Sequence, residues 1–155
     1  MKKLLIAMAA IAVSVSAMAE TNPFFDYKNW KTPHQTYPFN EIRPEHYMPA
    51  FEEGMKQGLA EIDAIANNPA APTFQNTIEA YEKSGQLLSI VAGCFYNLTH
   101  AETNEQLQQI EMELSPKMSE YSATIRLNEK LFQRIKAVYD QRGSLHLNKE
   151  QAKLL

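Results

Sequence analysis

The stretch Thr73 to Leu98, TFQNTIEAYEKSGQLLSIVAGCFYNL, carries the longest unbroken apolar period in the chain. Phe74, Ile78, Tyr81, Leu88, Val91, Phe95 and Leu98 recur at steps of three, four or seven, the stripe of one helix buried along its length. The polar residues of its first half, Gln75, Glu79, Glu82, Lys83 and Gln86, fall off that stripe. Its second half is small and apolar on nearly every side, so neighbouring helices are expected to wrap it. The period predicts one central helix over 73–98.

Helical periods of the same kind flank it. Phe51, Met55, Leu59 and Ile62 form a stripe with Glu52, Glu53, Lys56 and Glu61 mostly outward. Pro44 and Pro49 both suit a first helical turn, so this helix is expected to settle by Pro49 after a separate turn at Glu45 to Tyr47, and to stop at Asn67-Asn68-Pro69. The central helix can be capped by Thr73 directly, or by Asn76 with Glu79. A further period, Leu107, Ile110, Leu114, Met118, Tyr121 and Ile125, starts at Asn104, with a kink or a restart capped by Ser115 expected at Pro116. Asn128 can cap a helix striped by Leu131, Ile135 and Val138, for which Gly143 is a natural stop. Asn148 with Gln151 announces one more helix from about Lys149. No β-period, repeat or glycine-rich phosphate loop occurs, so the expected class is all-α, with antiparallel helices on short connections over 44–155.

The chain opens with Lys2 and Lys3, then an apolar run from Leu4 to Val15 too short to span a bilayer, then Ala17-Met18-Ala19. That pattern predicts a signal peptide over 1–19, cut after Ala19, and hence an exported, periplasmic or secreted product. Cleavage leaves 136 residues, with 13 basic against 18 acidic side chains and a net charge of −5. A mildly acidic surface disfavours nucleic acid or anionic membrane as a partner. Residues 20–43 have no helical period, three prolines and six aromatic rings. They are expected to form an extended arm pinned by its rings to the helical body.

No catalytic, cofactor or metal residue is assigned in this chain. The histidines His34, His46, His100 and His146 are widely spaced, and none stands in His-Glu-x-x-His, which puts two imidazoles one helical turn apart on a metal. Cys94, the lone cysteine, lies mid-helix beside Val91 and Phe95 and reads as a small buried hydrophobe. The carboxylates Glu52-Glu53 and Glu111/Glu113 read as solvated helix faces. Asn97-Leu98-Thr99 matches a glycosylation acceptor, but at the end of a buried helix.

Two stretches together carry a resemblance. They are Thr32 to Met55, TPHQTYPFNEIRPEHYMPAFEEGM, and Pro72 to Gly85, PTFQNTIEAYEKSG. They resemble the N-terminal region of the thimet oligopeptidase-like zinc metallopeptidases, which include oligopeptidase A and the bacterial peptidyl-dipeptidases. Asn22-Pro23, Trp30 and the Thr-Pro-His run lean towards the peptidyl-dipeptidase branch, while Gln75 stands where the family's pattern has glutamate. The resemblance implies a helical, two-lobed enzyme around a deep channel, with this region as one wall that limits access to short, unfolded peptides. It also implies zinc held by His-Glu-x-x-His and a later glutamate, all downstream of this chain, which by itself is expected to bind no zinc and to be inactive. A capped helix opening at Lys149 shortly before Leu155 fits an N-terminal piece of that longer enzyme. The alternative is a free-standing helical module that binds peptides or a protein partner without catalysis.

Overall fold

The structure, a computed structural model, describes residues 22–155. The leader expected over 1–19 lies outside the described residues. Among the described residues there are helices and turns and no strand. Five α-helices form the body: α1 Pro44–Ala66, α2 Gln86–Ala101, α3 Glu105–Arg126, α4 Glu129–Asp140 and α5 Lys149–Leu154.

The stretch 73–98 is not one helix. A π-helical segment, Phe74–Glu79, runs into one α turn, Ala80–Glu82, and the chain then breaks before α2. The break is made by Gly85, whose φ of +70° is left-handed, and whose N–H donates to Glu61 Oε2 on α1 at 2.7 Å. A residue with a Cβ is penalised by about 1–2 kcal/mol in that conformation. A sum of apolar spacings cannot register such a break, because seven residues still separate Tyr81 from Leu88. The two halves serve different neighbours: Phe74 and Ile78 pack with Val138 of α4, whereas Leu88, Val91 and Phe95 pack with α1. Tyr81, placed on the stripe by its spacing, is exposed.

The helix at the centre is therefore α1, which touches α2, α3, α4 and the N-terminal arm. It is continuous from Pro44, with no separate turn before Pro49. Pro49 cannot donate to the Glu45 carbonyl, but both residues are exposed, so water can take the place of the missing bond. Two glycines on α1 set how closely its partners approach. A Cβ on Gly54 would lie 2.9 Å from the Leu88 backbone nitrogen and Cα, and one on Gly58 would meet the Tyr121 hydroxyl.

Pro116 likewise sits inside an uninterrupted α3, with no restart at Ser115. The carbonyl it leaves free belongs to Met112, which is exposed. Thr73 is the cap of the π segment: its hydroxyl accepts from Asn76 N–H while Asn76 Oδ1 accepts from Thr73 N–H, so Asn76 and not Glu79 completes the box. The caps at Asn128 and Asn148 form as spaced, the last with Gln151, and Asn104 caps α3 by accepting from Leu107 N–H. Gly143 does not stop α4, which ends at Asp140 on ordinary right-handed turns.

The segment preceding α1 is less extended than its prolines suggested. Pro23–Asn29 and Pro33–Gln35 are 3₁₀ turns, each with proline in its first turn, where a missing N–H has no helical partner to lose. Its rings run inward as a chain of contacts: Tyr37 on Trp30, Trp30 on Phe24, and Phe24 on Tyr47 of α1, with centroids 5.5–6.2 Å apart. Phe24 is wholly buried.

Arg134 of α4 is buried and has no carboxylate partner among the described residues. Its Nη1 donates to the Asn68 and Ala70 carbonyls, and its Nη2 to Asn76 Oδ1 and Thr77 Oγ1. It ties the Pro69 to Pro72 connection and the π segment onto α4.

Two measurements check this architecture. Phe95→Asp places a charge where Phe95 meets Tyr47, Phe51 and Tyr96 at 5.0–5.5 Å, and should abolish folding, while exposed Glu82→Ala should be near neutral; equal midpoints by circular dichroism would contradict the assigned core. Gly54→Ala, although it raises helix propensity, should destabilise by about 1–3 kcal/mol in urea titration, because the obstructing atoms are backbone. A Gly54→Ala variant more stable than the parent would show that α1 and α2 do not meet at Gly54.

Candidate functional site

A concavity of about 1000 Å³ lies between the first 3₁₀ turn and α1. Its floor is fixed by Asn22, whose Oδ1 accepts from Phe24 N–H and whose Nδ2 donates to the His46 carbonyl at 2.9 Å. Tyr27 closes one side, its hydroxyl 3.4 Å from Gln86 Oε1 of α2. Phe25, Pro49 and Leu87 make the apolar part of the wall, and Asp26, Lys28 and the carboxylates of α1 make the charged part.

Several of the polar groups here already have partners. Glu53 accepts from Gln57 Nε2 at 2.9 Å and from Lys56 Nζ at 3.3 Å. Those bonds, led by Gln57 and opposed by slight burial, hold its carboxyl below the usual range. Glu52 pairs with Lys117 of α3; Glu113, away from this groove, accepts from Gln109. His46 Nδ1 accepts from Arg43 N–H at 3.1 Å, which spends one ring nitrogen on the start of α1. Such a groove can hold a ligand by apolar contact and charge. It brings no nucleophile to a base and no general acid opposite a water.

The other residues weighed from sequence stay apart. Among the described residues no three of His, Cys, Asp or Glu converge as metal ligands. His34 sits on a left-handed backbone in the second 3₁₀ turn, and His100 packs its ring near Tyr96. Asn97 is exposed, its Nδ2 donating to the Gly93 carbonyl.

Cys94 is fully buried on α2, 3.6 Å from the Tyr47 hydroxyl. Burial pushes its thiol up, with the Tyr47 bond opposing, so it is the reverse of an activated nucleophile. Tyr47 itself is raised, first by burial and then by its bond to Cys94. Sequence spacing did not reveal the Tyr47–Cys94 contact, because it joins two helices.

With that geometry in view, comparison with known proteins supplies the kinship. No family model matches the chain. The chain is 44% identical over 135 residues to a dipeptidyl carboxypeptidase of Salmonella typhimurium and 43% identical over 140 residues to that of Escherichia coli, matches covering 87% and 89% of this chain. The chain is related to the dipeptidyl carboxypeptidases. A more distant match, 23% identical over 133 residues, is to oligopeptidase A of Escherichia coli. The resemblance carried by Thr32 to Met55 and Pro72 to Gly85 is thereby borne out. The chain spans about one fifth of the length of these relatives.

The buried ionisable groups predict a pH response. Cys94, Tyr37, Tyr47, Tyr96 and Tyr121 are all raised by burial and are neutral when protonated. The folded state therefore keeps these protons after the unfolded chain has lost them, so stability is full below the unfolded values, roughly 8.5 for thiol and 10 for phenol, and falls as pH rises beyond them. The unfolding midpoint should be level near pH 8 and drop between about pH 9 and 11, and Cys94→Ala should remove the earliest part of the drop. A flat profile through that range would contradict the burial of these groups.

Proposed function

We propose that this chain is the N-terminal, channel-wall part of an exported zinc metallopeptidase that hydrolyses short peptides, releasing dipeptides from their C-terminal ends. The observation that carries this reading is the 44% identity along 87% of the chain to a protein named dipeptidyl carboxypeptidase, of which the match covers 20%. The leader pattern of residues 1–19 supports export. The all-helical body and the groove along α1 suit a wall that meets peptides without cutting them.

The residues present do not fit a zinc site. Among those described, no ligand set of three gathers, and no His-Glu-x-x-His occurs in the sequence. In this reading the metal and the water it activates belong to the part of the peptidase outside this chain, and no hydrolytic step is assigned to any residue here.

An antibody against the Phe24 to Tyr37 segment tests the proposal in the source organism. It should capture a periplasmic or secreted product several times larger than this chain, which releases C-terminal dipeptides from short peptides and stops when a chelator removes zinc. The chain of 155 residues alone should release none. A captured product that ends at Leu155, or a large one without dipeptide release, would overturn the proposal.

A further inference from the structure

Asn22, the first described residue, is buried and lines the groove between the first 3₁₀ turn and α1. Its side chain is held on two sides, by Phe24 N–H and by the His46 carbonyl at 2.9 Å, so the chain enters the fold at the first turn of α1. Glu45 stands next to His46 in that turn and lines the same groove.

The charge of the lining suits a cation. Four carboxylates, Asp26, Glu45, Glu52 and Glu53, share the groove with two ammonium groups, Lys28 and Lys56. Glu53 is taken by Lys56, and Glu52 by Lys117 from α3. Lys28 lies over the Tyr27 ring, 5.6 Å from its centroid. Glu45 has no basic partner among the described residues, and Asp26 accepts from Asn29 Nδ2, a neutral donor.

We infer that the ligand of this groove is the chain's own α-ammonium group, created when the leader is cut after Ala19, and that it pairs there with Glu45 and Asp26. The inference rests on the export part of the proposed function. Residues 20 and 21 lie outside the described residues, and the occupant is argued from reach and from charge. Glu20, which the cut exposes, is two positions before Asn22, and two residues span about 7 Å at most. Its nitrogen is therefore kept close to the first turn of α1, where Glu45 stands. Before the cut that nitrogen belongs to a neutral amide; after it, the nitrogen is a cation beside two carboxylates that lack a counter-charge. The positive end of the α1 dipole repels a cation, and Glu45, in that first turn, offsets it. Cleavage thus supplies the charge that fastens the N-terminal arm to α1.

The test uses the product captured from the source organism, with its first residue read by N-terminal sequencing. Its α-amine is acylated with an N-hydroxysuccinimide ester at pH 7, and the rate is followed by mass spectrometry. The references are the same product unfolded in urea and the free peptide Glu-Thr-Asn-Pro-Phe, which repeats residues 20–24. Pairing holds the amine in its unreactive protonated form, so the folded product should react about tenfold slower than both references, the change that one pKa unit gives. Glu45→Gln combined with Asp26→Asn should restore most of the rate. Both side chains are exposed, and the comparison of parent with peptide needs no variant. Equal rates for folded product and peptide overturn the inference and leave the proposed function standing. So does a slow reaction that the double variant leaves unchanged, because burial alone is then the cause. Protection of an added peptide's amine in place of the chain's own gives the groove to the amino end of a substrate and also overturns the inference. A product that starts elsewhere than Glu20 sinks the cut and the inference together. One that starts at Glu20 with a slow amine but ends at Leu155 sinks the peptidase reading alone.

Discussion

The close approach of α1 and α2 at Gly54 is the constraint on which the rest of the packing depends. A glycine there lets the Leu88 backbone come within 2.9 Å of where a Cβ would stand, so the two helices meet through main chain and not through side-chain tips. Large rings can then fill the space on either side of the contact, with Phe51 and Tyr47 of α1 set edge-on to Phe95 of α2. Edge-to-face pairs of this kind add about 0.5–1.5 kcal/mol each beyond their burial. The N-terminal rings complete the cluster through Phe24, and Tyr37 reaches α2 where Gly93 leaves room for its hydroxyl. Without internal disulfides, this interlock of rings around a glycine contact is what holds the N-terminal half together.

The other half is held by polar geometry. Arg134 closes over the Asn68 and Ala70 carbonyls and over Asn76 and Thr77, of which Thr77 is fully buried. A buried guanidinium without a counter-charge costs desolvation energy, offset here by four hydrogen bonds. Its Nε remains without a partner. The gain is specificity of position: an arginine fork fits this set of acceptors in one orientation, so the Pro69 to Pro72 connection and the π segment are fixed relative to α4. Gly85 serves the same end from the other side, since its bond to Glu61 fixes where the chain turns from the π segment into α2.

Helix identity and caps were legible in the sequence because they depend on local spacing. The stripes of α1, α3 and α4 and the caps at Asn128 and Asn148 follow from residues three or four apart. What spacing could not show was any event that leaves the period intact. Gly85 breaks the helix while Tyr81 and Leu88 stay in phase, and Pro49 and Pro116 sit inside helices because the carbonyls they orphan face water. The hub role of α1 was hidden for a related reason: its closest contacts are made by glycines, which an apolar count ignores. Arg134 was missed because a charged residue three places after Leu131 looks like the polar edge of a stripe. At the site, the resemblance of Thr32 to Met55 and Pro72 to Gly85 gave the kinship, whereas the groove above His46 comes from Asn22 folding back on α1.

As the wall of the proposed peptidase, a region of this construction would contribute shape and not chemistry. Among its ionisable side chains Glu52 is paired with Lys117 and Glu53 with Lys56, while burial favours the protonated, neutral forms of Cys94 and Tyr47. Neither arrangement poises a group to exchange protons near neutral pH, which general acid–base chemistry requires. In the proposed enzyme the region would instead supply shape held against deformation: an aromatic core with its helices in backbone contact would resist the widening that admits a folded chain. In the proposed enzyme, then, selection by size and cleavage reside in different parts of the polypeptide, so substitutions in this core should alter which peptides gain access before they alter the chemistry that cuts them.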